Sequence, residues 1–179
     1  MIFGVAIVAL GAEHLVCANM AAEPFPAQFH AVVVPQHWGL RGEVCEVLAL
    51  SSAAFVLAAR SPFADVGRVL FGITAVVFGV DHFLALDLIA SLVPAWMPGH
   101  LLLASFTGAA MIAAGLSILM KRLDGIAAFG LGTVFLLIVL TLHLPRVLAA
   151  PQSPDEWSSA LIALGMCGAS WICAPGREP

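Results

Sequence analysis

The chain has 179 residues, of which 61% are hydrophobic and 10% charged, with a net charge of −4 and a mean hydropathy of +1.04. A soluble domain carries about 25% charged residues, so this composition excludes a water-soluble globule and points to an integral membrane protein. There is no clustered basic run, which excludes nucleic-acid binding. The G-x-G-x-x-G, P-loop, G-x-S-x-G and H-E-x-x-H patterns are all missing, so ATP-driven and hydrolytic chemistry have no support.

In chain order the apolar text divides into about six spans, near residues 1–20, 43–60, 66–90, 100–120, 125–146 and 157–174. Lipid forces such spans to be helices, because backbone groups without partners are too costly in hydrocarbon. The first run starts at Met1 with no Lys or Arg before it, so it reads as a first transmembrane helix rather than a cleaved signal. Ser61-Pro62 ends the second span, and Pro94 and Pro98 bracket the exit from the third. Lys121-Arg122 follow the fourth, and Pro145, Pro151 and Pro154 follow the fifth.

The chain repeats itself. Residues 2–26 align without a gap on residues 70–94, so that Gly4 falls on Gly72, Gly11 on Gly79, Glu13-His14 on Asp81-His82 and Pro26 on Pro94. His143, followed by Pro145, is a third, degenerate copy in which Leu142 replaces the acid. The expected fold is all-α: one polytopic transmembrane bundle spanning 1–179, built of tandem helical hairpins. Gly72 and Gly79, like Gly108 and Gly115, are seven apart, which puts each pair on one helix face and marks close helix packing.

Lys and Arg set the orientation. Arg60, Arg68, Lys121, Arg122 and Arg177 fall on one side, Arg41 and Arg146 on the other. This bias predicts cytoplasmic N- and C-termini, with Trp38, Trp96 and Trp157 in an outward aromatic belt. The same topology gathers His14, His30, His37, His82, His100 and His143 near the outer face, with Glu13, Glu43, Glu46, Asp81 and Asp87. Ionisable groups within spans are costly, so a repeated set suggests use. Neighbours on a helix point about 100° apart, so Glu13 is expected to meet His82 across helices, and Asp81 to meet His14. Imidazoles relay protons or bind metal, which makes His14, His82 and His143 candidate ligands for Cu or Zn. Glu13, His14, Asp81, His82 and His143 are the candidate polar cluster, and Pro94, Trp96 and Pro98 the candidate interfacial loop.

The His82-Phe83 pair, the run Val93-Pro94-Ala95-Trp96-Met97-Pro98, the glycine-rich span after it and His143-Leu144-Pro145 resemble DoxX-like small bacterial membrane proteins. The resemblance covers about 66–173; residues 1–65 lack the V-P-x-W-x-P loop, and an extra leading hairpin departs from the four-helix unit of that group. It implies a bacterial inner-membrane protein, accessory to a quinone-linked redox system and partnered by the bilayer and other subunits of a redox complex. It carries over no catalytic residues, and independent catalysis is not expected. A metal-binding membrane protein and a non-catalytic structural subunit are the alternative readings.

Overall fold

The structure, a computed structural model, describes the backbone of residues 38–58 and 63–174 and the side chains of 45–57 and 64–174. The candidate span 1–20, the leading copy of the repeat at 2–26, and with them Glu13 and His14, lie outside the described residues. Every regular element among the described residues is helical: α1 (Trp38–Ala58), α2 (Phe63–Leu84), α3 (Leu86–Leu92), α4 (His100–Leu119), α5 (Asp124–Ile138), a π segment (Val139–His143), α6 (Leu144–Ala149) and α7 (Pro154–Cys173). The stretch from Asp124 to Ala149 is one continuous helical run.

Three helices, Ala64–Leu84, His100–Leu119 and Asp124–Ala149, are long and apolar enough to cross a membrane. Their apolar surface mostly faces outward. In the most apolar of them, Asp124–Ala149, only 22% of the apolar window is buried. A helix that is apolar all round and buried on one side needs a non-aqueous neighbour on the other, and lipid supplies it. α7 is equally long but opens with Asp155 and Glu156, and Ala163 and Gly165 to Ser170 along it are buried.

The long helices form a closed ring. α1 packs on α2, α2 on α4, α4 on α5, α5 on α7, and α7 returns to α1. Close contacts fix their directions. Gly67, early in α2, meets Ser52 and Val56 late in α1. Gly132 of α5 meets Trp171 and Cys167 late in α7. Helices that follow one another around the ring therefore alternate in direction, α7 closes it parallel to α1, and α2–α4 and α5–α7 are two of the expected tandem hairpins. The core is built of small and flexible residues, Ala49, Ala53, Ala75, Ala128, Met111, Met166 and Cys167, around the fully buried Phe71.

The α2–α4 contact is the most intimate. Gly72 faces Gly115 and Gly79 faces Gly108, in antiparallel register. A Cβ at Gly79 would lie 2.7 Å from the Gly108 carbonyl oxygen, and one at Gly115 would lie 2.6 Å from the Gly72 oxygen. The seven-residue spacing read from sequence is thus a seam of backbone on backbone, which side chains would hold apart.

Two boundaries differ from expectation. α1 is helical from Trp38 among the described residues, ahead of the apolar span at 43–60. The span expected over 66–90 breaks at Ala85, where φ is −111° and ψ is 30°. Neither Gly nor Pro stands there. The bonds Ala85 N–H to Asp81 O and Ile89 N–H to Ala85 O, each 2.9 Å, bracket the break, and α3 beyond it folds against α4. The bend is therefore a tertiary effect.

At the end opposite α3, Asp65 accepts from Lys121 Nζ and Arg68 Nη1, both at 3.0 Å, joining the start of α2 to the α4–α5 turn. In that turn Lys121 and Leu123 take positive φ of 51° and 56°.

The seam can be tested with two alanines. Gly79→Ala places a methyl against immovable backbone and is expected to cost about 1–3 kcal/mol, seen as a lower unfolding temperature in detergent. Gly130 has nothing within 4 Å of its Cβ position, so Gly130→Ala should be neutral or stabilising by up to about 1 kcal/mol. Equal effects at both positions would show that the seam does not hold the hairpin.

Candidate functional site

The seam ends at His82. One turn beyond Gly79, its Cβ lies 2.9 Å from where a Cβ of Gly108 would be. Close approach of the helices buries the imidazole, leaving it 8% exposed. His82 Nδ1 lies 2.9 Å from the carbonyl oxygen of Phe78, one turn earlier. A carbonyl only accepts, so Nδ1 carries the proton and donates it. In the neutral ring Nε2 is then a lone-pair acceptor. The Phe78 ring meets the imidazole edge to face, with centroids 5.2 Å apart, and holds its plane.

His82 lines a half-open cavity of about 710 Å³ between the helices at this end. α2 contributes Phe78 and His82, α4 Thr107 and Met111, α5 Phe135 and the π segment His143. α7 adds Asp155, Ser158 and Ser159, α1 adds Glu46, and α3 with Val93 and Pro94 covers one side. The lining is mainly apolar with a few polar groups, and the volume falls within the 300–1,000 Å³ usual for small-molecule sites.

His143 reaches the cavity through a local irregularity. Pro145 has no N–H for the carbonyl of Thr141, and its ring would clash there in a regular helix. The run widens instead, and Leu144 N–H bonds back to Val139 O across five residues. The hydroxyl of Thr141 donates to Leu137 O at 2.7 Å, satisfying a carbonyl beside the wide turn. Such π turns recur at functional sites because they re-aim side chains. Nδ1 of His143 is buried with no hydrogen-bond partner among the described residues. A buried orphan N–H is rarer than a buried orphan lone pair, so the proton belongs on Nε2, which makes this imidazole a donor. Just beyond, Arg146 Nη2 donates to Glu156 Oε1 at 2.8 Å and ties α6 to α7.

Of the sequence candidates, His82, His143 and Pro94 come together around the cavity. Asp81 is buried, at 8% exposure, but is not in the lining. Trp96 is 69% exposed at the loop tip, and Pro98 lies on the outer surface near Asp87 and His100. Glu13, His14, and therefore the crossed pairs Glu13–His82 and Asp81–His14, fall outside the described residues. Among the described residues no three His, Cys, Asp or Glu side chains are grouped as a metal site, so the His14, His82 and His143 ligand set is represented only by His82 and His143 on one cavity.

The reading from sequence placed Glu46 on this side but missed Thr107, Thr141, Asp155, Ser158 and Ser159. Their signal is faint: isolated hydroxyls in apolar text, with Thr107 donating to its own helix at Leu103 O, 2.9 Å away. Compared with known proteins, the chain matches no family model, no curated protein and no solved structure. The DoxX-like resemblance accordingly rests on the motif residues alone.

The proline account of the π turn makes a direct prediction. Pro145→Ala restores the missing N–H, so the run should close as a regular α-helix and swing His143 by about 100°. A structure of that variant which kept the wide turn would show that proline does not cause it.

Proposed function

We propose that this chain is a DoxX-like integral membrane subunit, accessory to a quinone-linked redox system, and that its cavity holds the head group of a quinone-type amphiphile. One observation carries the reading: two imidazoles, from α2 and from the π segment, line a single mainly apolar cavity within helices that suit a bilayer. The residues fit such a group. Phe78, Met111 and Phe135 offer flat or pliable apolar walls for a ring, and polar groups on two walls match its two oxygens. Nε2–H of His143 is the donor for a ring carbonyl. When bound, the head group would supply the electron and proton chemistry; the chain orients it and keeps water from it. The outward apolar faces of α4 and α5 are available to lipid and to larger subunits of a redox complex.

Two measurements test this. Protein purified in mild detergent should carry isoprenoid quinone, and titration with decyl-benzoquinone should quench tryptophan fluorescence. His143→Ala should weaken that binding about tenfold, the effect of leaving one polar group without its partner. No extracted quinone together with no binding of decyl-benzoquinone or of its quinol overturns the reading and leaves a structural subunit; stoichiometric copper or zinc instead would favour the metal reading.

On the Lys and Arg bias we further propose that the cavity end faces the periplasm and both termini the cytoplasm of a bacterial inner membrane. A cysteine at Trp96 should then react with an impermeant maleimide in intact cells, and one at Arg122 only after permeabilisation. The reverse pattern would invert the topology.

A further inference from the structure

The protons around the cavity are unevenly distributed. The His82 proton is committed to Phe78 O, the Thr141 hydroxyl proton to Leu137 O and the Thr107 hydroxyl proton to Leu103 O. All three side chains line the cavity with their own protons spent on backbone carbonyls. Each retains lone pairs and no proton to give. Against these three acceptors on α2, α4 and the π segment stand the His143 imidazole and, on the α7 wall, the hydroxyls of Ser158 and Ser159, whose protons no backbone carbonyl takes among the described residues. The preference is built by local helix geometry, because each committed proton goes to the carbonyl four residues earlier on the same helix.

From this we infer that the cavity selects a hydroxyl-bearing aromatic head group, a dihydroxy ring, over the corresponding dicarbonyl ring. A dicarbonyl ring has only acceptors and meets acceptors on the α2 and α4 walls, which leaves lone pairs facing lone pairs. A dihydroxy ring donates to His82 Nε2 and to a threonine oxygen, and still accepts from His143 through a hydroxyl lone pair. Sites built to pair with a substrate hydroxyl reject an analogue without it strongly, because the site's own polar groups are then left unpaired. The inference rests on the quinone-type reading above and deepens it: the chain holds the reduced form of the amphiphile.

The test compares ligands on the unaltered protein. Full-length chain in lipid nanodiscs is titrated anaerobically with decyl-benzoquinone, with its reduced quinol and with the quinol's dimethyl ether, and affinity is read by tryptophan quenching or calorimetry. The quinol is expected to bind at least about tenfold more tightly than the other two. His82→Phe, which keeps a ring of similar bulk and removes the acceptor, should collapse the quinol-to-quinone ratio to within about twofold. Thr141→Val should lower the ratio partially. Equal affinity of quinol and quinone for the unaltered protein overturns this inference while the quinone-type reading stands. Binding of none of the three overturns both. Where His82→Phe does not fold, the ligand series on the unaltered protein still decides.

Discussion

Everything at the functional end of this bundle depends on the backbone contact between α2 and α4. In water, helices are driven together by burial of apolar side chains; in lipid that drive is missing, because the hydrocarbon outside is as apolar as leucine. What remains is dispersion between closely fitted surfaces, and four glycines supply it at Gly72–Gly115 and Gly79–Gly108. The same closeness buries His82. With larger residues at 79 and 108 the helices would stand further apart and the imidazole would no longer be pressed between them. The polar site is thus a consequence of the packing device: an imidazole held within hydrocarbon depth needs its N–H satisfied, and the Phe78 carbonyl satisfies it from within the same helix.

The two imidazoles reach one cavity by opposite local routes. His82 sits on a regular helix and is positioned by what the helix packs against. His143 sits where a helix fails, because Pro145 removes a hydrogen bond and the wide turn absorbs the deficit. These routes leave the rings with different protonation patterns. A ring whose Nδ1 meets a carbonyl becomes an acceptor at Nε2, and a ring whose Nδ1 is buried without a partner keeps its proton at Nε2. The cavity is therefore chemically polarised although its two key residues are identical in type. The difference between the two rings comes from backbone geometry.

Much of this was legible in the amino-acid text, for physical reasons that can be named. Helices crossing lipid must be long and apolar, so the spans over 100–120 and 125–146 were recovered nearly to their ends. Glycines seven apart share a face whatever the tertiary structure, so the seam could be anticipated, though not which pairs oppose each other. The histidine–proline spacing flagged His143, but the π turn depends on the carbonyl four residues before the proline, which spacing alone does not reveal. The break at Ala85 was not legible, since neither Gly nor Pro marks it and the bend answers to α4. Glu46, Ser158 and Ser159 come to the cavity from α1 and α7, at opposite ends of the described chain, and only ring closure joins them. The leading copy of the repeat, with Glu13 and His14, belongs to the part of the reading that the described residues do not reach.

The two ends of the bundle use polar residues in contrasting ways. At the end holding the α4–α5 turn, Asp65 is shared by Arg68 and Lys121, and Asp65 and Lys121 are well exposed. Such exposed pairs are screened by solvent and contribute little to stability. They suit a membrane surface, where charge fixes orientation and a tight turn needs only to be closed. At the other end Glu46 and Asp155 stand in the cavity lining and Arg146 pairs with Glu156, while His82, Thr107 and Thr141 bond to carbonyls of their own helices. Neutral imidazoles and hydroxyls cost less than charges within a span, and His82, Thr107 and Thr141 each spend a proton on a carbonyl of their own helix. The result is a bundle with an exposed ion-pair cluster at one end and, at the other, a cavity whose walls combine ionisable side chains with imidazole and hydroxyl groups held by their own helices.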